Sequence, residues 1–169
     1  ERYWAWRSGI GIITPSCLVA VPGYGPTVFL GELFLTAEAD HYDSPLAPPP
    51  LGEMGSGVCP ALTSEGLDAR RCISYQTIEH RGPLPQEVRL SQTFYGCDRC
   101  LRAMPQFAEA HPTTETAFQP SEALLLMTPK DWEALTEEQY RTLFKGSAVK
   151  LAKFDGLKRN IKRWLENDK

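Results

Sequence analysis

Tyr95-Gly96-Cys97-Asp98-Arg99-Cys100 is the stretch that most restricts the fold of this chain. Two cysteines separated by two residues favour metal or redox chemistry in a reducing compartment. The sequence contains five cysteines, and this odd number argues against a closed set of disulfides. Thiolates at such short spacing suit zinc or an iron–sulfur cluster. We therefore predict a thiolate metal centre in this part of the chain.

The spacing of the cysteines suggests one complete ligand set and one missing set. In the two-cluster ferredoxin pattern C-x2-C-x2-C-x3-C-P, the last cysteine binds the other cluster, and Cys59-Pro60 resembles that position. The three residues where its companions would stand, and the crossing position after Cys100, are not cysteines: Pro49, Gly52, Gly55 and Met104. The set that remains complete consists of Cys59, Cys72, Cys97 and Cys100.

We predict that these four thiolates hold one [4Fe–4S] cluster. Two alternatives stay open, namely a structural zinc site made by the same four thiolates and a set of unrelated buried thiols. The fifth cysteine, Cys17, lies in an apolar extended segment, and we predict that it is a buried small side chain.

Length and composition indicate an ordinary globular protein. The chain has 169 residues, of which 42% are hydrophobic and 23% are charged. No apolar run is long enough to span a bilayer, no leader peptide is visible, and we expect a cytoplasmic protein. Because the sequence does not start with Met, we expect it to be the carboxyl-side part of a longer protein.

Local patterns predict short elements separated by long loops. Residues 9–20 and 27–37 are predicted to be extended, and residues 43–60, with five prolines, to form a loop. A short helix is predicted over 67–80. Thr128 and Thr136 are predicted to cap two further helices, the second with a capping box to Gln139. Apolar periodicity predicts that the clearest helix covers residues 148–165.

The charge distribution is uneven along the chain. Residues 141–169 contain nine Lys or Arg and three acidic residues, whereas the whole chain has a net charge of −3. Four of these basic residues share one broad helix face, namely Lys158, Arg159, Lys162 and Arg163. Such a face can contact nucleic-acid phosphates without base recognition. The alternative is a solvated face whose cations favour the carboxyl end of the helix.

Several collinear segments resemble the motifs of epoxyqueuosine reductases, and together they cover nearly the whole chain. These segments are Arg7-Ser8-Gly9-Ile10-Gly11, Phe29-Leu30-Gly31-Glu32, Leu67 to Tyr75, Thr77 to Pro83, Tyr95 to Cys100, Phe144 to Lys150, and Gly156 to Ile161.

The resemblance implies a cobalamin-dependent reductase with two [4Fe–4S] clusters, which converts epoxyqueuosine to queuosine at the wobble position of certain tRNAs. It further implies tRNA as a partner and an electron donor such as a flavodoxin or ferredoxin. Cobalamin is expected only together with the family's amino-terminal half, and the family's catalytic acid would lie upstream of Glu1.

The departures from the family fall on the residues that handle cofactors. The resemblance places the ligands of the first cluster at Pro49, Gly52, Gly55 and Met104, where no thiolate stands. A Gly-Lys-rich stretch of the family is replaced by residues 13–17. We therefore expect a divergent member with a single cluster.

Two functions stay open at this point. The first is the iron–sulfur part of an oxidoreductase that resembles epoxyqueuosine reductase, and the alternative is a non-catalytic, metal-stapled module for binding or electron transfer. The predicted fold is α+β, with short strands near the start, a ferredoxin-like iron–sulfur core and a helical carboxyl end. We expect residues 1–42 to be a remnant of a cobalamin-reductase-like domain, 43–127 the iron–sulfur region, and 128–169 a basic helical region.

Overall fold

The computed structural model describes residues 1–14, 16–47, 59–63, 66–104 and 110–167. The chain forms two compact units: residues 1–68 with 98–112, and residues 69–97 with 113–169. The predicted region 1–42 lies wholly in the first unit and 128–169 wholly in the second, whereas 43–127 contributes to both. The three-part division remains a prediction about domain identity.

The first unit begins with a helix and a small hairpin. Helix α1 (Arg2–Arg7) precedes strands β1 (Ile12–Ile13) and β2 (Val19–Ala20), which pair antiparallel. Gly11 is required next to this hairpin, because a Cβ there would lie 2.7 Å from the carbonyl oxygen of Ala20. The predicted extended segment 9–20 is therefore a tight hairpin, while 27–37, although described throughout, contains no strand.

A second pair of strands lies further along the first unit. Strand β3 (Leu62–Thr63) pairs antiparallel with β4 (Gly66–Leu67). The N–H of Asp68 donates to the carbonyl of Ala61 at 2.8 Å, and Ala61 is completely buried. The short helix α3 (Arg99–Arg102) also belongs to this unit.

In the described residues of the second unit, all regular secondary structure is helical, and loops such as residues 82–90 connect the helices. Its α-helices are α2 (Ile73–Ile78), α4 (Glu122–Leu125), α5 (Pro129–Ala134), α6 (Glu137–Leu143) and α7 (Lys153–Asn167), and its 3-10 turns are Ala69–Arg71, Thr116–Phe118 and Ala148–Ala152.

The core of the second unit forms where α5, α6 and α7 meet. Five buried side chains pack there, namely Leu135, Tyr140, Phe144, Leu157 and Ile161. Aromatic rings surround this cluster, with Trp132 stacked on Phe144 at a centroid distance of 6.4 Å. Burial of these side chains from water is the main favourable term that holds the helices together.

Both predicted N-caps are confirmed. The Thr128 side chain accepts from the Asp131 N–H, and the Thr136 side chain accepts from the Gln139 N–H. In both cases the side chain of the third helical residue accepts from the backbone N–H of the capping threonine, which completes a capping box. The capping box at Asp131 was not predicted, since only the N-cap and the proline were identified there.

Two predicted helices are interrupted. In the segment 67–80, Leu67 is still part of β4, a 3-10 turn covers Ala69–Arg71, and α2 follows after Cys72 and ends at Ile78. The segment 148–165 likewise starts as a 3-10 turn, whose first residues are capped by the Ser147 side chain. Lys153 then adopts a positive φ of 60°, and such a residue cannot continue regular helical hydrogen bonding from the preceding turn. The α-helix proper therefore begins only at Lys153.

The fold class is mixed, as predicted, with helices, a few short antiparallel strands and a long helix near the carboxyl end. One strand pair lies near the start as predicted, whereas the other, at residues 62–67, was not predicted. Among the helices in the described segments, none is both long enough and apolar enough to cross a bilayer.

Candidate metal centre and its supporting helix

Cys72 lies at the amino-terminal end of α2, in the N-cap position. Its N–H donates to the carbonyl of Ala69, and its own carbonyl accepts from the N–H of Gln76, both at 3.0 Å. The side-chain amide of Gln76 also donates to the carbonyl of Arg70 at 2.6 Å. The backbone of Cys72 is thus fixed on both sides, while its thiol is half-buried.

Cys97 is tied to the opposite end of the same helix. Gly96, the residue before it, donates its N–H to the Thr77 hydroxyl at 3.0 Å. Gly96 has a φ of +70°, a left-handed conformation that favours glycine. The backbone position directly before Cys97 is therefore fixed by a hydrogen bond to the last turn of α2.

Helix α7 supports α2 through a buried asparagine. The Asn160 side-chain N–H donates to the carbonyl of Thr77 at 2.8 Å, and both residues are 0% exposed. The Asn160 side-chain oxygen accepts from the guanidinium of Arg159, at 2.8 Å from Nη2 and 3.1 Å from Nε. A completely buried polar side chain is stable only when its hydrogen bonds are made, and here both ends of the amide are used.

Arg159 also binds the segment that follows α2. Its guanidinium donates to the carbonyls of Gln76, His80 and Gly82. Burial, and then the nearby charge of Arg81, lower the pKa of Arg159 below its usual value. The positive charge lies at the carboxyl end of α2, where a cation is favourable for the helix dipole.

Arg163 repeats this arrangement one turn later along α7. It donates to the carbonyls of Pro85 and Val88 at 3.1 and 3.0 Å. Proline-rich residues 82–90 have no regular secondary structure, so their carbonyls need partners from elsewhere. Arg159 and Arg163 supply these partners and fix the loop against α7.

The other two predicted ligands lie in the first unit. Cys59 precedes β3, and its carbonyl accepts from the N–H of Leu62 at 3.1 Å. Cys100 lies on α3, and both cysteines are half-buried. Met104 is only 2% exposed, so its side chain is part of the core of this unit. The other three positions of the missing set, Pro49, Gly52 and Gly55, lie outside the described residues.

The four predicted ligands are therefore divided in pairs between the two units, with Cys59 and Cys100 in one and Cys72 and Cys97 in the other. None of the five cysteines, all of which lie in described segments, forms a disulfide. Across the described segments, no three or more His, Cys, Asp or Glu side chains form a group that could hold a metal ion. The donor chemistry, four half-buried thiols outside disulfides, is the chemistry that an iron–sulfur cluster requires.

The prediction for Cys17 is wrong. This residue is exposed and lies in the turn between β1 and β2, where it has a positive φ of 60°. The turn is held by Thr14, whose hydroxyl bonds the Ser16 hydroxyl at 2.9 Å and the Leu18 carbonyl at 3.0 Å. Among the described residues of the turn, Thr14 and Ser16 are thus buried and Cys17 is exposed.

The basic residues of α7 differ in what they contact. Lys158 donates to the carbonyl of Glu133, while Arg159 and Arg163 bind the loop after α2. Lys162 is exposed and lines a surface groove of about 470 Å³ together with Lys158 and the carboxylates Glu133 and Glu166. Of the predicted phosphate-binding set, Lys162 is thus the cation most available to solvent.

Sequence inspection missed Thr77 and Asn160 as residues of the site. Asn160 follows Leu157 by three residues and precedes Ile161, so it falls on the buried face of α7. A polar residue at a predicted core position was the available signal, because such a residue needs a specific partner.

No family model matches the chain. An epoxyqueuosine reductase from Cellulophaga algicola is 32% identical to it over 173 residues, which cover 95% of this chain and 54% of the relative. The chain belongs to the epoxyqueuosine reductase family. It spans about half the length of the curated relatives that it matches.

Solved epoxyqueuosine reductases share its fold. The enzyme from Streptococcus thermophilus superposes with a TM-score of 0.79 at 27% identity, covering 96% of this chain and 44% of that one. An epoxyqueuosine reductase in complex with an epoxyqueuosine-modified tRNA-Tyr stem loop superposes with a TM-score of 0.78 at 23% identity, covering 99% and 46%. The similarity in fold thus includes both units of the present chain.

Proposed function

We propose that this chain is the iron–sulfur part of an oxidoreductase of the epoxyqueuosine reductase type, with one [4Fe–4S] cluster held by Cys59, Cys72, Cys97 and Cys100. The observation that carries the proposal is the family relationship over 95% of the chain. The proposal includes a ferredoxin-like arrangement of the residues around the four thiols and a cytoplasmic protein. A bound cluster supplies single electrons at low potential.

The protein's own contribution is to hold the thiolates and to limit the access of solvent to them. The four cysteines are half-buried. The backbone of Cys72 is fixed by hydrogen bonds to Ala69 and from Gln76, and Gly96, the residue before Cys97, is bonded to Thr77 of α2. Half-buried thiolates are protected from solvent, which is one of the factors that set a cluster's potential.

The proposed substrate is epoxyqueuosine in tRNA, and the proposed electron donor is a small protein such as a flavodoxin or ferredoxin. Lys158, Arg159, Lys162 and Arg163 are the proposed tRNA-contacting residues, with Lys162 as the direct phosphate contact because it is exposed. Cobalamin is proposed only for a protein that also contains the family's amino-terminal half.

Metal analysis tests the cluster directly. The chain is purified without oxygen, and iron, acid-labile sulfide and zinc are measured per polypeptide. We expect about four iron and four sulfide per chain, as the composition of a [4Fe–4S] cluster requires. A colourless protein with stoichiometric zinc contradicts the cluster and favours the structural zinc site. Cys17→Ser is the matched control, because this exposed thiol lies outside the predicted ligand set and its loss leaves the iron content unchanged.

Activity is tested separately from metal content. A gene that joins this chain to its family's amino-terminal half is expressed in a strain that lacks epoxyqueuosine reductase, and queuosine in tRNA is measured. Restored queuosine supports the reductase function. If the cluster is present and queuosine is not restored, the reductase assignment is wrong.

The second candidate is a non-catalytic module in which the metal centre holds the chain together. It is favoured by Met104, an apolar side chain buried at 2% exposure where the family resemblance places a ligand of the other cluster. In this case thiolate–metal bonds stabilise the fold, since metal binding is coupled to folding. Cys72→Ser then unfolds the domain, whereas a variant with unchanged thermal stability contradicts this candidate.

A further inference from the structure

We infer that Thr77, held by Asn160, is a positioning residue that fixes Cys97 with respect to Cys72. The inference rests on the proposed function, because it concerns two of the proposed cluster ligands. Cys72 caps the start of α2, and Thr77 lies in its last turn, next to the segment that leads into Cys97. Cys72 thus lies at one end of this six-residue helix, and the residue before Cys97 is bonded to its other end.

The Thr77 hydroxyl is used as donor and acceptor at once. It donates to the carbonyl of Ile73 at 2.8 Å and accepts from the N–H of Gly96 at 3.0 Å. A hydroxyl has one proton to donate. Because the Thr77 hydroxyl gives this proton to the Ile73 carbonyl, a lone pair of its oxygen remains to accept from the Gly96 N–H. Since Thr77 is 0% exposed, water cannot replace the hydroxyl once it is removed.

Asn160 holds Thr77 from the other side. The amide of Asn160 has a defined orientation, because its oxygen accepts two bonds from the charged Arg159 guanidinium. Its N–H therefore faces the Thr77 carbonyl, at 2.8 Å. A continuous series of hydrogen bonds runs from Arg159 through Asn160 and Thr77 to Gly96, the neighbour of Cys97.

A series of this kind has a measurable effect on a metal centre. Residues that orient ligands without touching the metal change metal affinity by about 10–100-fold when they are replaced. Val has the shape of Thr without the hydroxyl, so Thr77→Val removes the contact to Gly96 and keeps the packing. Thr77→Ser keeps the hydroxyl and removes only a methyl group.

A matched control is available on α6. Thr142 also donates its hydroxyl to the carbonyl four residues earlier, that of Glu138, at 3.1 Å. Thr142 is exposed and far along the chain from the cysteines. Thr142→Val thus removes the same type of helix bond without any link to a predicted ligand.

The experiment measures how fast the cluster is lost. The 169-residue chain is purified anaerobically with its iron, and release of iron to an excess of a ferrous chelator is timed. We expect Thr77→Val to release iron about tenfold faster than the wild type. Thr77→Ser and Thr142→Val keep a rate close to that of the wild type. Far-UV circular dichroism checks that each variant is folded.

Asn160→Asp provides a second, independent variant if Thr77→Val does not fold. It keeps an oxygen that accepts from Arg159 and replaces the N–H that faces Thr77 by a second carboxylate oxygen, which repels the Thr77 carbonyl. Faster iron release in this variant supports the inference. A wild-type rate in the folded Thr77→Val or Asn160→Asp protein, or an equal acceleration in Thr142→Val, overturns it while the cluster itself stands. A wild type without iron instead overturns the proposed function, and this inference with it.

Discussion

Asn160 on α7 donates its side-chain N–H to the main-chain carbonyl of Thr77 on α2, across 83 residues of sequence. The same turn of α7 contributes Leu157 and Ile161 to the apolar core. One face of α7 therefore contributes two side chains to the apolar core of the second unit and also makes a hydrogen bond between two completely buried residues. This face contacts α2, which has Cys72 at its start and is bonded through Thr77 to Gly96, the residue before Cys97.

Asn160→Leu is expected to destabilise the chain by about 1–3 kcal/mol, because the buried Thr77 carbonyl loses its partner. Urea unfolding measures this as a lower midpoint with an unchanged slope. Asn167→Leu is the control, since its amide makes a longer bond of 3.4 Å to the Leu90 carbonyl in a partly exposed position. Equal effects of the two substitutions would show that the burial of the Asn160 hydrogen bond adds nothing to the free energy of unfolding.

Features that depend only on neighbouring residues were predictable from the sequence. The N-caps at Thr128 and Thr136 involve residues three positions away, so local pattern is sufficient to identify them. The absence of helix in the segment at Gly82-Pro83, which follows α2, was predictable for the same reason. The apolar periodicity of α7 also identified Leu157 and Ile161 as buried.

Features that depend on distant contacts were not predictable in this way. Arg159 and Arg163 bind carbonyls about 80 residues away, and a helical wheel shows them only as part of a basic face. Cys17 was misassigned because the polar hydrogen bonds of Thr14 and Ser16 turn the chain within an apolar segment. The start of α7 was missed because a positive φ at a lysine has no local sequence signal.

Arg159→Lys is expected to lower stability by about 1–2 kcal/mol. A guanidinium spans the carbonyls of Gln76, His80 and Gly82, whereas a lysine ammonium has a single nitrogen and cannot reach all three. Thermal and urea unfolding measure the change. Lys162→Arg, at an exposed position of the same helix, should stay within about 0.5 kcal/mol of the wild type. Unchanged stability of Arg159→Lys would contradict a structural role of the guanidinium.

Lys162→Gln is expected to weaken binding of a tRNA anticodon stem loop and to leave stability unchanged. Loss of one phosphate contact reduces the slope of log affinity against log salt by about 1. Fluorescence anisotropy over a salt series measures both the affinity and the slope. Lys130→Gln, an exposed lysine on α5, is the control for net charge. If both variants lose the same affinity, α7 has no specific role in tRNA binding.

The capping box at the start of α5 predicts a loss of stability in acid. The Thr128 hydroxyl and then the Thr128 N–H donate to Asp131, and these bonds hold the pKa of its carboxyl below the ordinary value of 3.8. A carboxyl with a depressed pKa in the folded state stabilises the protein above about pH 4, and this contribution is lost as the pH falls through the folded pKa.

Stability measured between about pH 6 and pH 3 tests this prediction. The wild type should lose part of its stability below the ordinary carboxyl pKa, whereas Asp131→Asn should lose less over the same interval, because the amide does not titrate. Thr128→Val, which removes the hydroxyl donor, should also reduce the acid-dependent loss. Parallel pH profiles for the wild type and Asp131→Asn would rule out a contribution from this carboxyl.

Two glycines of the second unit are expected to respond to alanine with opposite signs. Gly96 has a φ of +70°, and no atom lies within 4 Å of a Cβ built there, so the effect of Gly96→Ala is that of the backbone alone. A left-handed conformation costs an alanine about 1–2 kcal/mol. Gly156 lies inside α7, where a Cβ would make an ordinary contact of 3.9 Å with Ala152.

Gly156→Ala is therefore expected to stabilise the chain by about 1 kcal/mol, since glycine is a poor helix former. Urea unfolding of both variants without metal gives the two signs. With iron present, Gly96→Ala should also release it faster to a chelator, because Gly96 directs the chain into Cys97, while Gly156→Ala should not. A stabilising Gly96→Ala would mean that the positive φ at this residue is not required, and Cys97 would then lack the backbone constraint on which its placement depends.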